Sequence, residues 1–181
     1  ETLMRNVQPF YADFSFGHLA IAHNGNLTNA EGLRKELISR GSIFHSTSDT
    51  EALIHLIATS PAQGVENKIG EALSHVEGAY SLVILANDKL IGMRDAMGVR
   101  PLVLGKLGSA MILASESCAL DIIGAELVRD IEPGEMIVIE SDGSVTSHHP
   151  LPKKPKRFCI FEYVYSSRPD SLTEGKNIYE T

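Results

Sequence analysis

The sequence predicts an α+β protein, with helices gathered in the first half and mostly antiparallel strands in the second. Three observations predict it. Apolar residues recur at helical spacing in three consecutive segments between residues 28 and 76. From residue 79 onward they fall instead into short runs separated by turn residues, of which Asp142-Gly143 is the strongest hairpin signal. Neither half contains a GxGxxG or a Gly-rich phosphate loop, so alternating βαβ units have no support.

Taken in order, residues 14–22 read as a strand that enters an Asn24-Gly25 corner. Thr28 with Glu31 has capping-box spacing and starts a helix whose apolar face is Leu33, Leu37 and Ile38, ended by Gly41. Ser48 with Glu51 is a second box, and its helix carries Leu53, Ile54 and Ile57 as far as Ser60-Pro61. A third helix, over about 64–76, places Val65, Ile69, Ala72, Leu73 and Val76 together. Ala79–Ala86 and Leu90–Met93 are strands joined by an Asn87-Asp88 turn. Leu102–Gly105 and Met111–Ala114 pair around Gly108. A short helix spans 117–123. Strands follow at Glu126–Asp130, Met136–Glu140 and Ser144–His148. Residues 150–157 (PLPKKPKR) are basic and Pro-rich and read as a boundary, after which Phe158–Tyr165 is a new apolar segment.

The 181 residues suffice for one domain with a real core. A hydrophobic content of 43% and a charged content of 22% are ordinary for a globular chain. The net charge of −7 argues against a nucleic-acid partner. No apolar run approaches the ~20 residues that span a bilayer. No secretory signal is visible, and Cys118 and Cys159 have neither metal-type spacing nor a disulfide framework, so a cytoplasmic setting is expected. The chain opens on Glu1 and stops at Thr181 without a helix cap or closing signal, so it reads as a piece of something longer.

Ala22–Asn29 (AHNGNLTN) is the segment with chemical content. Asn-Gly is the commonest two-residue hairpin loop, and a plain turn is one reading. The other is an oxyanion hole. Gly25 lets backbone approach a ligand closely, and the Asn24 amide donates hydrogen bonds without carrying charge. Asp49 has two readings as well: a carboxylate favoured by a helix N-terminus, or one held there to recognise a cation such as an α-ammonium. Arg94-Asp95 and Arg100-Pro101 flank a turn that an Arg–Asp network would organise. Cys118 reads as a small core residue. The seven histidines, His148-His149 included, have no ligand spacing, so no metal is assigned.

Seven segments then occur in order: AHNGNLTN (22–29), STSDTE (46–51), EGAY (77–80), RDAMGVRPLVLG (94–105), ASESCA (114–119), EPGE (132–135) and FEYVYSSRPDS (161–171). Together they closely resemble the amidophosphoribosyltransferase family over essentially the whole chain. The first two are shared with other glutaminases such as glucosamine-6-phosphate synthase, which is the alternative within enzymes. A non-catalytic amino-acid-binding module is the alternative outside them. Residues 94–105 and 161–171 favour the phosphoribosyl family.

The resemblance implies an N-terminal-nucleophile αββα four-layer sandwich, here lacking its first strands and helix. It implies a glutaminase domain over 1–157 and the start of a link to a phosphoribosyltransferase domain over 158–181. By motif match, Asn24 and Gly25 correspond to the oxyanion hole and Asp49 to the residue that binds the glutamine α-amino group. L-glutamine and phosphoribosyl pyrophosphate are the implied substrates, and a homo-oligomer is the implied assembly. The family's nucleophile is a cysteine at the mature N-terminus, where this chain has Glu1, so this polypeptide alone is expected to release no ammonia. Ala96 replaces a frequent proline, and Ser166-Ser167 replace an aromatic and an alanine. Cys159 aligns with a ligand of a [4Fe–4S] cluster in some members. One thiolate cannot hold a cluster, so no cofactor is expected in this chain, with Mg²⁺ belonging to the complete enzyme.

Overall fold

Strand alternation builds two cores from one sheet. The computed structural model describes residues 4–152, 154–157 and 159, together with the backbone of 172–173 and 176–177. A six-stranded antiparallel sheet has the order β1 (Phe10–Phe14), β2 (Gly17–Leu27), β3 (Gly78–Ala86), β4 (Lys89–Arg94), β8 (Met136–Ile139) and β9 (Val145–His148). A second, three-stranded sheet sets β5 (Val103–Leu107) between β6 (Ala110–Ala114) and β7 (Glu126–Asp130). Three helices, α1 (Ala30–Ser39), α2 (Thr50–Thr59) and α3 (Val65–Ser74), precede β3, and α4 (Ser117–Ile123) joins β6 to β7. The backbone of β10 (Leu172–Thr173) and β11 (Lys176–Asn177) forms a separate two-stranded pair.

Leu82 and Ile84 on β3, Ile91 and Met93 on β4, and Met136 and Val138 on β8 face one way, where Leu53 and Ile57 of α2 and Ile69 and Leu73 of α3 cover them. The alternate residues Val83, Leu90, Ile137 and Ile139 face the other way and meet Leu104 and Leu113 of the second sheet and Leu102 just before it. Strands buried on both faces read as near-continuous apolar runs. The outer face of the second sheet presents Val103 and Ala114 to Leu120 of α4. Helices, sheet, sheet and helix therefore stack as the αββα sandwich. At the turn into β8 the Arg129 guanidinium donates to both Glu135 carboxylate oxygens, at 2.8 and 2.6 Å. Burial alone would raise the Glu135 pKa; Arg129, the Glu132 N–H and the Ser147 hydroxyl outweigh it and bring it to about 2. No helix among the described residues is long and apolar enough to cross a membrane.

Three local expectations are corrected. Residues 14–22 are not one strand: the chain reverses between Phe14 and Gly17, and β1 runs back along β2. Asn24-Gly25 is not a corner, because β2 continues through it to Leu27 and stays paired with β3 throughout. A long partner strand overrides a two-residue turn signal. Neither capping box forms. The Thr28 N–H donates to the Glu77 carbonyl, and Glu31 pairs with Lys35 instead. The buried Glu51 carboxylate accepts from the N–H groups of His45 and Ser46 and the Ser46 hydroxyl, which ties the 45–46 loop to α2. The expected segment Phe158–Tyr165 and the FEYVYSSRPDS motif lie almost wholly outside the described residues.

Candidate active site

The site is built on the hydrogen-bond parity of β2. Its even-numbered residues bond toward β3: the His18 carbonyl accepts from Asn87 at one end and the Thr28 N–H donates to Glu77 at the other. Its odd-numbered residues point toward β1. Strand β1 reaches only as far as Phe10, opposite Ile21. Gln8 continues the edge with its side chain, accepting from the His23 N–H at 2.5 Å and donating to the His23 carbonyl at 3.0 Å. Four residues on, the Leu27 N–H donates to Asp49 Oδ2 at 3.1 Å. By the same parity the Gly25 N–H points away from β3, out between these two anchored positions and past the end of β1.

Asn24 lies beside it. Its Oδ1 accepts from Arg100 Nη2 at 2.5 Å. A guanidinium has no acceptor, so the amide atom facing it is the oxygen and the NH₂ is presented on the other side. Gly25 has φ +152°, and a Cβ there would stand 2.1 Å from the Ala79 carbonyl oxygen on β3. Only glycine lets the two strands close at this point.

Asp49 is the residue before α2 and is anchored by more than the helix start. Besides Leu27, its Oδ1 lies 3.4 Å from Nδ1 of the buried His23, which also contacts Thr50 Oγ1 at 3.2 Å. Burial pushes the Asp49 pKa up; His23 and the Leu27 N–H more than offset that, and the net shift is downward. Asp49 is thus a carboxylate at neutral pH. A groove of about 330 Å³ beside it is bordered by Ala30, Arg34, Thr47 and Ser48. Chemically, the edge offers two uncharged donors on adjacent residues and a fixed negative charge bonded two residues along the strand.

The expected Arg–Asp network is present. Asp95 is fully buried. Its carboxylate accepts from the N–H groups of Tyr80, Met97, Val99 and Arg100 at 3.0–3.3 Å. The buried Arg94 guanidinium donates to the carbonyls of Gly98, Arg100 and Ile131. Cys118 is a core residue whose thiol reaches Glu116 at 3.3 Å. Cys159 is half-buried, and two cysteines cannot supply the four thiolates of a [4Fe–4S] cluster. No group of three or more His, Cys, Asp or Glu among the described residues is placed to hold a metal ion.

The sequence reading picked Asn24, Gly25 and Asp49, and the fold brings them to one strand edge. It missed Gln8, His23 and the Arg100–Asn24 contact. Gln8 matters only because β1 ends early, and Arg100 is 76 residues from its partner. Neither leaves a local signal.

Residues 2–121 match the glutamine amidotransferase domain family. The chain belongs to that family. This glutamine amidotransferase domain is 48% identical to an amidophosphoribosyltransferase of Rhizobium etli, over all of the chain and 37% of that protein. It is 45% identical to the chloroplastic amidophosphoribosyltransferase 1 of Arabidopsis thaliana, over 99% of the chain and 32% of the relative. Among solved structures it superposes on glutamine phosphoribosylpyrophosphate amidotransferase from B. subtilis, complexed with ADP and GMP, with a TM-score of 0.93 at 42% identity. That match covers 99% of the domain and 39% of the B. subtilis chain. The domain thus spans about a third of the length of these curated relatives.

Proposed function

We propose that the open edge of β2 is the glutamine site of a glutaminase. The observation that carries it is the Gly25 N–H, left exposed between Gln8 and Asp49 beside an Asn24 amide turned by Arg100. Asp49 receives the α-ammonium of glutamine. The side-chain carbonyl oxygen lies against the Gly25 N–H and the Asn24 NH₂. When a nucleophile adds to the amide carbon, the negative charge gathers on that oxygen, and each donor contributes roughly 3–4 kcal/mol to the tetrahedral state. Collapse breaks the C–N bond, the leaving nitrogen takes the proton given up by the nucleophile and departs as ammonia, and water hydrolyses the remaining γ-glutamyl enzyme to glutamate. The nucleophile implied by the resemblance is a cysteine at the mature N-terminus of the complete protein.

The complete protein is read as an amidophosphoribosyltransferase. Ammonia displaces pyrophosphate from phosphoribosyl pyrophosphate and gives 5-phosphoribosylamine, the first step of purine biosynthesis. Glycosyl transfer, a cytoplasmic location and a homo-oligomer belong to this reading, as does a division into glutaminase (1–157) and link (158–181). The names of the relatives and the extent of their similarity support it over the glucosamine-6-phosphate synthase type.

The test is ammonia release from L-glutamine by the complete protein and its Asp49→Asn variant. Asparagine keeps the bond to Leu27 and loses the charge. The account expects KM for glutamine to rise about 10- to 100-fold, the worth of a charge-assisted bond of ~1.5–3 kcal/mol, with a smaller change in kcat. An unchanged KM removes Asp49 from the site.

A further inference from the structure

The Arg94–Asp95 network is more than a turn brace, because the loop it builds ends on Asn24. Asp95 lies directly after β4, and its carboxylate gathers the N–H groups of Met97, Val99 and Arg100. The same carboxylate accepts from Tyr80, which stands opposite Gly25 in the β2–β3 register. The Asp95 N–H donates in turn to the Tyr80 carbonyl at 2.9 Å. Arg94 holds the far side of the loop through the Gly98 and Arg100 carbonyls. The backbone of Arg100 is therefore fixed relative to the strand that backs Gly25. From there its guanidinium spans to Asn24 Oδ1.

We propose that Arg100 is a positioning residue for amide hydrolysis, one that fixes the Asn24 side chain so that its NH₂, and not its oxygen, faces the substrate carbonyl. The inference rests on the glutaminase reading above and adds a residue to it. A side-chain amide is nearly symmetric in shape, and its flipped rotamer would aim an acceptor at the developing oxyanion. Arg100 removes that state, since the flip would set an NH₂ against the guanidinium donors. A positive charge behind the amide oxygen also polarises the NH₂ and strengthens it as a donor. Arg100 acts through Asn24, so its effect vanishes where Asn24 is gone.

The experiment is a double-mutant cycle on glutamine hydrolysis by the complete protein, with Asn24→Ala, Arg100→Ala, the double variant and Arg100→Lys. Thermal melts verify that each is folded. The proposal expects Arg100→Ala to lower kcat about 10- to 100-fold with KM within about twofold. The double variant then matches Asn24→Ala alone, because the two residues form one unit. Arg100→Lys, with a single-point donor, recovers part of the loss and serves where the alanine variant does not fold. If Arg100→Ala multiplies the Asn24→Ala defect, acts on KM, or leaves kcat unchanged, the proposal falls while the glutaminase reading stands. If Asn24→Ala itself leaves kcat unchanged, the oxyanion reading falls and takes the proposal with it.

Discussion

Asn24→Ala is expected to lower kcat for glutamine hydrolysis roughly 10²- to 10³-fold, the cost of deleting one donor to an oxyanion. KM should change little, because the amide donates most strongly when charge has built up on the carbonyl oxygen, not in the ground state. Folding should be spared. The Asn24 side chain is exposed, and its backbone bonds to β3 do not depend on the side chain. Asn24→Asp is the sharper variant. It keeps the size and the acceptor for Arg100, but replaces the NH₂ with an oxygen that repels the oxyanion. Steady-state ammonia release at saturating glutamine measures both. A variant that raised KM with kcat intact would place Asn24 in ground-state binding instead.

The largest expected effect on stability is at Asp95. Asp95→Ala strands four backbone N–H groups and removes one of the two carboxylates, Asp130 being the other, that offset the buried Arg94 charge. Each buried donor left without a partner costs about 1–3 kcal/mol, so with partial relaxation of the loop a loss of about 3–5 kcal/mol is expected. Against a total domain stability of about 5–15 kcal/mol, that is enough to unfold a marginal protein near 37 °C. Asp95→Asn retains one acceptor oxygen and should cost less. Urea unfolding measures it as a drop in midpoint with an unchanged slope. A cost within ~1 kcal/mol for the alanine variant would mean that the 95–100 loop holds itself without the carboxylate.

How much of this was legible in the sequence depended on whether the signal was local. Short helices and strands with strong apolar patterns came out within a residue or two: α4 at 117–123 and β7 at Glu126–Asp130 match as read. Hairpin turns at Asn87-Asp88 and Asp142-Gly143 also stand. The misread turn and caps share a cause. Asn24-Gly25, Thr28 with Glu31, and Ser48 with Glu51 carry turn and cap chemistry that operates when the neighbouring backbone groups are free. Here β3 and the Glu77 carbonyl claim those groups in the first two cases, and in the third the Ser46 hydroxyl takes the Ser48 N–H while Glu51 bonds His45 and Ser46. Tertiary pairing outweighs propensities of about 1 kcal/mol.

The site divides along the same line. Asn24, Gly25 and Asp49 were found by residue type and motif, but their arrangement was not. The sequence placed Asn24 and Gly25 on a turn, where a backbone N–H has no fixed direction. The fold places them inside a strand, where parity fixes it. Gly25 is needed less for a turn than for the close approach of β3. The exposed N–H exists because β1 stops at Phe10 and Gln8 fills the position before it. None of this can be read from residues 22–29 alone.

The central claim is that glutamine binds on this edge, with its amide oxygen between the Gly25 N–H and the Asn24 amide. A crystal structure of the complete protein with L-glutamine, or with a γ-glutamyl adduct, tests it most directly. The account predicts the ligand oxygen about 2.7–3.1 Å from both donors. It also predicts the ammonium on Asp49 and the Asn24 oxygen still on Arg100. A ligand bound away from β2, or an Asn24 amide turned with its oxygen to the ligand, would contradict it.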